Sequence, residues 1–104
     1  MDRPLPIACT LGAADLEARV AEIRALGADG LLGSEVGDGR AVLRFRPDPG
    51  IRERIEAIVA AESECCAFLD FRLEHEAQGS VLTISAPNGG AEVVHGLAGA
   101  FAGR

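Results

Sequence analysis

The run Glu62-Ser63-Glu64-Cys65-Cys66-Ala67-Phe68-Leu69 holds most of the reactive chemistry in this chain. Two adjacent thiols follow a carboxylate by one helical turn. The only other cysteine is Cys9. Free cysteine packs as a small hydrophobe and is among the most buried residue types. A vicinal pair is a costly way to fill space, because thiols oxidise and bind soft cations. Three thiolates can form a trigonal site for Hg(II) or Cu(I). With a fourth ligand, such as Glu62 or His95, they can form a tetrahedral site for Zn(II). The spacing is not that of a zinc finger, so the identity of the metal stays open.

These residues have to be positioned by helices and strands, which the apolar periodicity places. Leu5 to Thr10 reads as a short strand with Leu5, Ile7 and Cys9 on one face. Residues 13–26 read as a helix, with Leu16, Val20, Ile23 and Leu26 at helical spacing and Gly27 as its stop. Leu31–Val36 and Arg40–Arg46 read as strands joined by Gly37-Asp38-Gly39. Asp48-Pro49 starts a second helix, with Asp as cap and Pro in the first turn, and it runs to about Cys66. Phe68–Glu76 alternates as a strand, Gln78-Gly79-Ser80 turns the chain, and Val81–Ala86 is the last strand. A final helix carries Val94, Leu97, Ala98 and Phe101.

The order βαββαββα predicts an α+β domain. It is a ferredoxin-like split βαβ with an extra C-terminal strand and helix, an antiparallel sheet and helices on one face. The whole of residues 1–104 forms a single domain, and no internal repeat is evident. In this topology Cys9, Cys65 and Cys66 converge at one end of the sheet. At about 100° per residue, Ile51, Ile55, Ile58 and Glu62 share one stripe of the second helix, flanked by Cys65 and Cys66. Glu62 is then an acid on the buried face. It needs a proton, a hydrogen bond or a cation, and its pKa is expected to rise. Glu64 points to solvent. His95 falls in the second turn of the last helix, at the edge of its apolar stripe, and His75 lies at the far end of its strand.

Composition excludes several function classes. The net charge of −6 opposes nucleic-acid binding, which needs a basic face. No apolar run reaches the length of a membrane span. No signal-type apolar region follows Met1-Asp2-Arg3-Pro4, so a cytoplasmic location is expected, where thiols stay reduced. All ten basic residues are Arg, and with abundant Ala and Gly this fits a GC-rich bacterial genome.

The run Glu62-x-x-Cys65-Cys66-x-Phe68-Leu69-x-Phe71, with Cys9-Thr10-Leu11 near the start, resembles a group of small, poorly characterised bacterial proteins. They share an E-x-x-C-C-x-F-L core, and some accompany heavy-metal, especially mercury, resistance. The resemblance implies soft-metal handling by Cys65 and Cys66. Many of those proteins have Pro where this chain has Ala67.

The leading expectation is soft-metal binding through Cys9, Cys65 and Cys66, with Glu62 and His95 as further candidates, for sequestration, delivery or sensing. Hg, Cu and Zn are the candidate metals. Two alternatives stand beside it. One is a thiol enzyme, with Cys9 as nucleophile near a helix start and Cys65 or Cys66 resolving it. The other is a regulatory or dimerisation module, since the sheet face opposite the helices, lined partly by Arg44, Arg72 and Glu74, could join two copies in a homodimer.

Overall fold

The computed structural model describes residues 13–65, 69–86 and 90–103. Over these residues the chain runs α1 (Ala13–Gly30), β1 (Leu31–Gly37), β2 (Arg40–Phe45), α2 (Pro49–Cys65), β3 (Asp70–Glu76), β4 (Gly79–Ser85) and α3 (Ala91–Phe101). The fold is α+β, with three helices and a four-stranded antiparallel sheet. The expected element order holds from the first helix onward. The predicted strand Leu5–Thr10 lies outside the described residues.

The sheet order is β1-β2-β4-β3, and every neighbouring pair is antiparallel. β2 and β3 are therefore parallel, with β4 between them and α2 as their crossover, which makes a split βαβ unit. β2 and β4 are each paired on both sides, so an additional strand has only the outer edges of β1 and β3 open to it. The interior place that a ferredoxin-like sheet gives its first strand is filled here by β4.

The two hairpins are related by a local twofold between β2 and β4. In β1–β2, Val36 pairs with Ala41 and Gly37 with Arg40. In β3–β4, His75 pairs with Ser80 and Glu76 with Gly79. The chain thus holds two αββ units followed by α3, a repeat of structure without a matching repeat of sequence.

Alternation explains how the helices and sheet combine. Ala41, Leu43 and Phe45 of β2 are buried, while Arg40 and Arg44, which alternate with them, are exposed. Ile23 and Leu26 of α1, Ile51, Ile55 and Ile58 of α2, and Val94, Leu97 and Phe101 of α3 close over that apolar face. Phe101 meets Phe45 edge to face, with ring centroids 5.6 Å apart.

Gly27 does not end α1, which continues to Gly30. Its lack of a side chain serves packing instead. A Cβ on Gly27 would lie 1.8 Å from the carbonyl oxygen of Phe101, so glycine is what lets α1 and α3 approach here.

Candidate functional site

The site starts from how α2 is set. Asp48 Oδ1 accepts hydrogen bonds from the backbone N–H of Gly50 (2.8 Å) and Ile51 (3.2 Å), the capping that Asp48-Pro49 predicts. The Ile51 N–H, the Arg46 guanidinium bonded to Oδ2 and the Gly50 N–H together hold the Asp48 carboxyl below its ordinary range. From this start, Ile51, Ile55 and Ile58 point into the core, and Glu62 continues the same stripe.

Glu62 is buried, at 1% exposure, as its helical angle predicts. Arg19 of α1 donates from Nη1 to Glu62 Oε2 at 2.7 Å, with 17% of the Arg19 side chain exposed. Loss of water raises the Glu62 pKa, and the hydrogen bond and charge of Arg19 act against that rise. Desolvation wins, so the pKa stays above its ordinary value. Of the three stabilisers that a buried carboxylate could take, the fold supplies a cation. Arg19 was legible as a candidate. It lies four residues before Ile23 and seven before Leu26, which puts it on the inward stripe of α1.

Cys65 is the last residue of α2, about 4.5 Å along the helix axis from Glu62. Cys9 and Cys66 lie outside the described residues, as does Ala67. Directions along the chain nonetheless define a corner. β2 enters α2 at one end of the sheet, and α2 returns to the other end, where β3 starts at Asp70. α1 feeds β1 at the end where α2 begins, so α1 itself begins beside the end of α2. Ser63 and Glu64 are exposed, in line with Glu64 being a solvated charge.

His95 is placed elsewhere. It is exposed on α3, and its Nε2 donates to the carbonyl of Gly37 at 3.0 Å, at the β1–β2 turn. Glu62 and His95 therefore bond to different elements, and the described residues do not bring them together. Among those residues, no three His, Cys, Asp or Glu side chains are grouped so as to hold a metal ion.

A second polar cluster went unread in the sequence. His75 Nδ1 is 2.8 Å from Ser80 Oγ, and its Nε2 is 3.0 Å from Glu56 Oε2. The residue types are those of a hydrolase triad. Ser80 is only 5% exposed, however, and a nucleophile must reach its substrate. We read the cluster as a tie from α2 to the β3–β4 hairpin. It satisfies the polar groups of a Ser and a His that the strand alternation turns toward the helices.

Compared with protein-family models, with curated proteins and with solved structures, the chain matches none.

Proposed function

We propose that this protein binds a soft metal ion at the carboxyl end of α2, through the thiolates of Cys65 and Cys66 together with Cys9 from the segment before α1. The carrying observation is the buried Glu62–Arg19 pair one turn before Cys65. Burying an ion pair costs desolvation energy that an apolar pair of the same size would not. A helix end that only fills space has no use for it.

The chemistry of the donors supports the reading. Two thiolates at the negative end of a helix, beside a carboxylate, repel one another and the charges around them. A bound cation removes that penalty. Three thiolates on a divalent ion leave one excess negative charge, which Arg19 balances when Glu62 carries its proton. With Oε2 bonded to Arg19, Glu62 fits a role in orienting and charging the corner better than one in direct coordination. His95, held by Gly37, is not needed. The E-x-x-C-C-x-F-L resemblance points the same way.

Alkylation protection tests this. About one equivalent of Hg(II) or Cu(I) per chain should shield the thiols from iodoacetamide. Cys65→Ser and Cys66→Ser should each abolish the shielding, and Cys9→Ser should weaken it. Unchanged protection in both Cys65→Ser and Cys66→Ser would remove the proposal. Native mass spectrometry after anaerobic purification separates the rival chemistry: a metal adduct supports binding, and a mass two protons short supports a redox thiol pair.

A further inference from the structure

We infer that the open face of the sheet is the contact between two copies of this chain, joined about a twofold axis that runs along the β2–β4 boundary. Cross-strand pairing puts the face's residues in rows. One row holds Arg40 on β2 and Asp70 on β3, both paired with Ser85 of β4 between them. The next holds Glu35 on β1, then Val42 and Thr83, then Arg72 on β3. The third holds Arg44 on β2, then Val81, then Glu74 on β3.

The charges in these rows are opposite in sign across the β2–β4 boundary. Arg40 on one side answers Asp70 on the other, Glu35 answers Arg72, and Arg44 answers Glu74. A twofold along that boundary keeps each row on itself and exchanges the two sides. Each basic group then meets an acid of its own row in the second copy. Glu35 lies directly over Arg72, and Arg40 and Arg44 reach one strand outward to Asp70 and Glu74. The perpendicular in-plane axis would instead set Arg40 over Arg44, like charge on like charge.

Three further observations agree. Arg40, Arg72, Asp70 and Glu74 are exposed and make no ion pair among the described residues. Among the described residues Arg44 pairs with Glu35 alone, in a long, exposed contact at 3.5 Å. The middle of the face is small and β-branched, with Val42, Val81 and Thr83 half-buried, so charges form a rim around a flatter centre. These six charged groups balance and Glu76, next on the same face of β3, adds one acid, so the face is near neutral whereas the chain carries −6 overall. Self-association through any more acidic surface would be repulsive. An anion held between Arg40 and Arg72 is the weaker reading, because Asp70 lines the same depression.

Four strands spaced about 4.8 Å apart, each about 20 Å long, offer roughly 400 Å² of sheet plane per copy. Allowing for side-chain relief, the pair falls near the lower limit of specific interfaces, about 1,000 Å² in total. An interface of that size makes a weak, transient dimer, and its charged rim makes it salt-sensitive. The helices lie on its outer faces, and both α2 carboxyl ends lie at the same end of the assembly.

Sedimentation velocity over a concentration series, in low salt and in about 0.5 M NaCl, tests the inference. The full chain should dimerise in low salt and weaken at least about tenfold in high salt. Arg72→Glu sets two acids against each other twice per dimer and should weaken association at least about tenfold. Arg72→Glu combined with Glu35→Arg restores both contacts with the signs exchanged, and should bring association back to within about threefold of the parent. Circular dichroism of each variant verifies its fold, and both substitutions are at exposed sites. A monomer at all concentrations, a dimer insensitive to Arg72→Glu, or failure of the folded double variant to recover would each overturn the inference. So would monomers whose Arg40 and Arg72 respond to phosphate.

Discussion

Replacing Arg19 by Met removes the cation from Glu62 and keeps a side chain of similar length. The carboxyl, 1% exposed, then loses the Arg19 charge that offsets its burial. Breaking a buried pair this way costs about 3–5 kcal/mol. The lower end applies, because about a sixth of the Arg19 side chain is already in water. A second limit comes from titration. Glu62 can take a proton instead of staying charged, and for a carboxyl of ordinary pKa near 4.3 that costs about 3.7 kcal/mol at pH ~7 but only about 1 kcal/mol at pH ~5.

The folded pKa of the parent is already raised, so part of this cost is present before the substitution. The loss in Arg19→Met should therefore be at most about 3 kcal/mol at pH ~7 and less than about 1 kcal/mol at pH ~5. The sign follows from linkage. The folded pKa of Glu62 is raised, so this group favours folding most below the unfolded pKa. That contribution fades as pH rises through the folded value. Losing Arg19 raises the folded value further and widens the window upward. Urea unfolding of the parent and of Arg19→Met at both pH values measures the effect. Adding Glu62→Gln to Arg19→Met should recover most of the loss at pH ~7, since no buried charge is then left. Equal losses at both pH values, with no recovery in the double variant, would refute the reasoning. Arg19 would then act through the packing of its methylene stem.

Other substitutions probe other parts of the frame. Asp48→Ala should destabilise the start of α2; the difference from the parent should be present above the unfolded Asp pKa near 3.9 and vanish as pH falls through the lowered folded value, read by thermal melts across acid pH. Gly79→Ala should cost at least about 3 kcal/mol by urea unfolding, because φ is +138° there and the new Cβ would sit 1.9 Å from the Phe45 carbonyl oxygen. Glu62→Gln alone should shift stability by less than about 1 kcal/mol, since Arg19 can turn to solvent, but should weaken Hg(II) affinity about 10–100-fold in chelator competition.

Local chemistry alone determined much of this protein. Asp48-Pro49 wrote the start of α2, Gly37-Asp38-Gly39 wrote the β1–β2 turn, and the alternation in β2 and β3 assigned their buried sides. The angular position of Glu62 on α2 was enough to place it inside and to raise its pKa, since a residue's face follows from helix period alone. What needed the tertiary structure was everything that depends on which elements become neighbours. Gly27 read as a helix stop because a glycine's local preference is all that a sequence displays, yet its role is set by the carbonyl of Phe101, far along the chain. The same holds for β4, whose apolar pattern fits an edge or an interior strand equally well, and which pairing places between β2 and β3. Arg19 and Glu62 each lay on a legible stripe. That they meet is decided by the packing of α1 on α2, because a desolvated carboxylate takes whichever cation the neighbouring helix brings within reach.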